Sequence, residues 1–157
     1  MEAINGITLE RYAELVSKTT DTVTIDEFWQ AIENEGVSKE DWTAAKDGWN
    51  AVICDPNNYL TLMQDYNNHF ERFIEIKNNG NAPCTLEKFA DINAQIYYRK
   101  DPADNEKNMD YEAVMKENGI ASLKWTEYSG YWAPKTAREE HMQKYYDLLN
   151  EYSQKYM

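Results

Sequence analysis

The chain has 157 residues with a net charge of −12, and it is 42% hydrophobic and 13% aromatic. That is enough chain to bury a core without staples, and the composition excludes disorder. The acidity argues against direct binding to nucleic acid, which needs Lys and Arg to release counterions, and no run reaches the ~18 apolar residues of a membrane span.

Thr8 is placed to cap a first helix, with Leu9, Tyr12, Ala13 and Val16 at helical spacing and an end near Lys18. Thr24 with Glu27 three residues on predicts a capping box, followed by the apolar face Ile25, Phe28, Trp29 and Ile32. Gly36 ends this second helix as a glycine at C′ does. Ser38 and Asp41 open a third, with Trp42, Ala45, Trp49 and Val52 inward. Asp55-Pro56 stops it and sets Pro56 at the first position of a fourth, running from about Asn57 to Lys77. Its stripe is Leu60, Met63, Phe70, Phe73 and Ile74. The segment NNGNAP at 78–83 reads as a linker.

After the linker the sequence begins again. TLEKFADI at 85–92 nearly copies TLERYAEL at 8–15, so Thr85 matches Thr8. Later, Gly119 matches Gly36, Trp125 matches Trp42 and Trp132 matches Trp49. MQKY at 142–145 echoes MQDY at 63–66. The extra residues of the second copy fall in RKDPADNEKNM, read as a loop, where insertions are tolerated. No stretch alternates as a strand does. The expected fold is all-α: a tandem duplication of a roughly 75-residue, four-helix unit, about eight helices in all. The copies, 1–80 and 81–157, are expected to fold as one cooperative domain, in a pseudo-twofold bundle or a short solenoid. The matched positions are caps, the C′ glycines and paired tryptophans, which hold helices together.

Signals for chemistry are sparse. Cys54 and Cys84 form no C-x-x-C pair and read as free thiols. Cys54 follows an apolar run, which predicts burial. Cys84 precedes a helix, where a thiolate is stabilised, yet the repeat sets Ile7 at its place and favours packing. His69 and His141 lie outside any metal-binding motif, and no glycine-rich phosphate loop occurs. No catalytic residue, metal or cofactor is expected. MEAING lacks an apolar segment behind it, so a cytoplasmic protein is the expectation.

Two features point to binding. Residues 1–80 carry −9 of the charge and residues 81–157 only −3. Seven acids crowd the stretch from Asp26 to Asp47, and Glu33, Glu35, Glu40, Asp41 and Asp47 are the candidate face for a basic partner. The plain reading beside it is a solvated helix face with charges suited to the helix dipoles. Tyr97, Tyr98, Tyr111, Tyr128, Tyr131, Tyr145, Tyr146, Tyr152 and Tyr156 crowd the second copy, and a surface subset would suit a protein interface.

The unit T-L-E-x-[YF]-A, then Gly-[Val/Ile], then two tryptophans seven residues apart resembles a bacterial tandem helical-repeat domain family of unknown function. The motifs that carry it are Thr8-Leu9-Glu10, Gly36, Trp42 and Trp49, then Thr85-Leu86-Glu87, Gly119, Trp125 and Trp132. The second copy departs in having Ala121 where the first has Ser38. The resemblance implies a helical fold, carries over no catalytic residue, and links similar proteins to bacterial toxin or secretion loci. The expected function is a non-enzymatic protein-binding module, such as an adaptor or a toxin-neutralising immunity protein. The alternatives are an enzyme with an acid and tyrosine site between the copies, and an acidic nucleic-acid mimic.

Overall fold

In the computed structural model, which describes residues 2–157, each expected helix forms. They are α1 (Leu9–Thr19), α2 (Ile25–Asn34), α3 (Lys39–Ile53), α4 (Tyr59–Lys77), α5 (Leu86–Tyr98), α6 (Tyr111–Glu117), α7 (Ser122–Thr136) and α8 (Glu139–Ser153). The chain divides into two compact units, the first ending at Asn81 and the second spanning Ala82–Met157.

The first unit is built from its caps inward. The Thr8 hydroxyl accepts from the Arg11 amide at 3.1 Å, and the Ser38 hydroxyl accepts from the Asp41 amide at 3.1 Å. Thr24 and Glu27 close a full capping box. The Val23 and Thr24 amides donate to the Glu27 carboxylate and hold it below the usual range. At the end of α2, Gly36 takes φ +76°. That lets the Val37 amide reach back to the Ile32 carbonyl and the Gly36 amide to that of Glu33, which satisfies two carbonyls the helix end leaves open.

The core of this unit is Ile7, Tyr12, Leu15, Ile32, Trp42, Ala45, Trp49, Ile53 and Leu62. Tyr12 stacks on Trp42 with ring centroids 5.4 Å apart and meets Tyr66 of α4 at 5.7 Å. Further along, Lys77 reaches Thr20 at 2.6 Å, so α1 and α4 lie side by side and run the same way. Trp49 is fully buried, and its indole donates to the Ile7 carbonyl at 2.9 Å. Ile4 and Ile7 pair across a tight turn through Asn5 and Gly6. Ile4 presses so closely on α3 that a Cβ at Gly48 would lie 2.6 Å from its methyl group.

The second unit repeats these contacts. Phe89 stacks on Trp125 at 5.5 Å and meets Tyr145 at 5.7 Å. The Trp132 indole donates to the Cys84 carbonyl at 2.9 Å, as Trp49 does to Ile7. The Thr85 hydroxyl accepts from the Lys88 amide. Gly119 takes φ +68°, and the Ile120 amide returns to the Met115 carbonyl. The exception is Ala121, the N-cap of α7, which offers no side-chain acceptor. Its backbone already has the extended cap geometry of Ser38. Ala121→Ser is therefore expected to stabilise the protein by about 1 kcal/mol, seen as a higher urea midpoint at unchanged slope.

Four expectations need correction. The stretch read as a loop forms a hairpin, β1 (Lys100–Asp101) with β2 (Asp104–Asn108). The Asp101 carboxylate fixes its turn by accepting from the Ala103 amide at 2.8 Å. The Asn108 amide group anchors it to the Tyr97 carbonyl. It buries almost no apolar side chain, so hydrophobic alternation had nothing to mark. Second, Pro56 does not start α4. The Asp55 carboxylate accepts from the Asn57 amide at 2.9 Å, and that local turn delays the helix to Tyr59. Third, the buried row of α4 is Leu62, Phe70 and Ile74, while Leu60 is 81% exposed. Ile25 likewise lies outside the buried face of α2. Fourth, Cys54 is exposed, because Ile53 takes the last inward position of α3.

Candidate functional site

The acids of the first unit separate into two kinds. Glu35, the C-cap of α2, is half-buried and already engaged. Its carboxylate lies 2.7 Å from the Lys18 ammonium and 3.2 Å from the Arg11 guanidinium, and Arg11 also pairs with Glu14 at 2.7 Å. Lys18 first, and then Arg11, hold Glu35 below the usual carboxylate range. It ties α2 to α1. Asp41 is exposed but accepts from the Asn5 side chain at 2.8 Å, which fixes the N-terminal turn against α3.

Glu33, Glu40 and Asp47 are different. Each is exposed, and among the described residues none has an ion-pair partner. Asp26 shares these properties. Asp26 and Glu33 are seven residues apart on α2, and Glu40 and Asp47 are seven apart on α3. Seven residues is nearly two turns, so each pair shares one helix face about 10 Å apart. The nearby Lys39 ammonium lies over the Trp29 ring at 4.7 Å.

The second unit carries a cleft of about 440 Å³, lined by Ala82, Cys84, Thr85, Leu86, Trp132 and His141, with Glu87 and Lys144 at its lip. Glu87 and Lys144 form an ion pair at 3.0 Å. His141 stands edge-on to Trp132 at 5.7 Å. Burial pushes the Cys84 thiol up to about 11, against the pull of Lys88. Desolvation thus outweighs the pull of Lys88 and Trp132 and favours a neutral thiol at pH 7. His69 is half-buried on α4, and no cluster of three metal-ligating side chains occurs among the described residues.

The tyrosines also separate. Tyr128, Tyr131 and Tyr145 are core residues, and Tyr98, Tyr152 and Tyr156 are half-buried. Tyr97, Tyr111 and Tyr146 are exposed. Tyr97 packs edge-on against Tyr98, and Tyr146 against Tyr145. Burial, followed by the nearby Tyr97 and Tyr146, pushes Tyr145 up to about 12. An exposed aromatic edge therefore flanks a buried one here.

Sequence reasoning missed Glu127. Its side chain is completely buried in α7, with the Lys124 ammonium 2.5 Å away. The repeat aligns Glu127 with Ala44, which is exposed, so the duplicated pattern points away from the burial.

No helix of the described residues is long and apolar enough to cross a membrane. No family model matches the chain, and no curated protein or solved structure shows significant similarity to it.

Proposed function

We propose that the chain is a non-enzymatic protein-binding module, of the adaptor or toxin-neutralising immunity type, whose first unit presents an acidic face to a basic partner. The observation that carries this reading is the set of four exposed carboxylates without ion-pair partners among the described residues, Asp26 and Glu33 on α2 and Glu40 and Asp47 on α3. Glu35, by contrast, serves the fold. Carboxylates left to solvent cost nothing to desolvate until a partner arrives, and they steer a basic surface at a rate that falls with salt. The exposed Tyr97 and Tyr146 offer rigid apolar contact of the kind interfaces favour. The same reading places the protein in the cytoplasm, where the thiols of Cys54 and Cys84 stay reduced.

The test compares the parent with a Glu33→Lys, Glu40→Lys, Asp47→Lys variant as bait in lysate of the native host. All three positions are exposed, so the helical circular dichroism is expected to stay unchanged. The parent is expected to retain one stoichiometric basic protein at low salt and release it at high salt. The variant is expected to retain none at either salt. Equal capture by both would remove the acidic face from the function.

A further inference from the structure

The outer groove between α1 and α4 forms a pocket of about 360 Å³, lined by Glu14, Ser17, Lys18, Phe73, Ile76 and Lys77. The second unit has a corresponding groove between α5 and α8, and the register is fixed by shared geometry. Tyr66 and Tyr145 each meet the aromatic of the first helix in their unit at 5.7 Å. Phe70 and Leu149 are both buried, as are Ile74 and Ser153. By that register Glu14 corresponds to Asp91, Lys18 to Gln95, Phe73 to Tyr152 and Lys77 to Tyr156.

The two grooves differ in what fills them. In the second unit the chain continues past α8 in a last turn, and the Tyr156 hydroxyl donates to the Asp91 carboxylate at 2.8 Å. Gln95, itself bonded to Asp91, lies beside the same phenol, and burial with the Asp91 contact pushes that phenol up to about 12. In the first unit Lys77 stands at Tyr156's place. It points instead to Asp21, at 2.7 Å, and to Thr20. The groove is left open, with Ile76 66% exposed beside it.

We propose that this groove receives a tyrosine side chain from a partner polypeptide, the position that Tyr156 occupies in the second unit. The ring rests on Phe73 and Ile76. The hydroxyl donates to the Glu14 carboxylate, which has lone pairs beyond its contacts to Arg11 and Lys18. It accepts from the Lys18 ammonium, which stands where Gln95 does. This rests on the binding-module reading and adds the chemistry of one contact to it.

The probe is a peptide with the chain's own sequence from Leu149 to Met157, alongside the same peptide with Tyr156→Phe. Binding to the full chain is followed by amide NMR shifts. The tyrosine peptide is expected to move Ser17, Lys18, Phe73 and Ile76 saturably. The phenylalanine peptide is expected to bind about fivefold more weakly, the worth of one hydrogen bond. Lys77→Tyr gives the groove its own phenol and is expected to abolish the response. Should that variant fail to fold, Ile76→Glu, at an exposed position, is expected to do the same. No shift in the groove, equal binding of both peptides, or an undiminished response in the folded variant would each overturn the proposal. None of these outcomes bears on the acidic face, which the charge-reversal capture tests separately.

Discussion

Trp49→Ala is expected to cost about 3–5 kcal/mol, the range for deleting a large buried aromatic, and to lower the urea midpoint accordingly. Trp49 is fully buried at the centre of the first unit's core. Its truncation loses the transfer energy of the indole and leaves a cavity that Ile7, Trp42 and Leu62 fill only in part. It also removes one of the two donors to the Ile7 carbonyl, which keeps only the Ile4 amide. Trp49→Phe separates these terms. A ring remains, the indole donor is lost while the Ile4 amide still serves the carbonyl, and the expected cost is about 1 kcal/mol for one hydrogen bond. Trp132 makes the matching bond to Cys84 but borders the open cleft, so Trp132→Ala is expected near the lower end of the range. A loss below about 1 kcal/mol for Trp49→Ala would show that the paired indole is no keystone of the unit.

The fold was legible where one local interaction decides an element. Thr8, Thr24 with Glu27, Ser38 and Thr85 announce caps that the hydroxyls do make. Gly36 and Gly119 announce left-handed residues, and both have positive φ. The tryptophan pairs recur because the first of each stacks on the ring of the unit's first helix and the indole of the second bonds the same backbone position, which repeated spacing reveals. Legibility failed where side chains outside the pattern intervene. Asp55 delays α4 through a two-residue turn, and Asp101 nucleates a hairpin with no apolar face to read. The candidate site was legible only as charge. Sequence cannot distinguish Glu35, held by Lys18 and Arg11, from Glu33, two residues away and open to solvent. The distinction depends on which way α1 faces, and that is a tertiary fact.

Glu127 shows the same limit at its largest energetic scale. Lys124→Met is expected to destabilise the protein by about 3 kcal/mol, because it removes the ammonium facing a fully buried carboxylate and keeps the rest of the side chain's bulk. The desolvation of Glu127 is incurred on folding whatever faces it, and Lys124 offsets part of that cost. Glu127→Leu combined with Lys124→Met is expected to recover most of the loss, since the buried charge goes with its partner and apolar volume replaces it. The two measurements together decide what the pair does. A costly single substitution rescued by the double shows that the ion pair is needed only because the carboxylate is there. A double variant as damaged as the single shows that Glu127 holds α7 through its other contacts as well. The first result would make Glu127 dispensable to the fold. Its retention in a completely buried position, against an exposed alanine at the matching place in the first unit, would then have to be explained by what the second unit does.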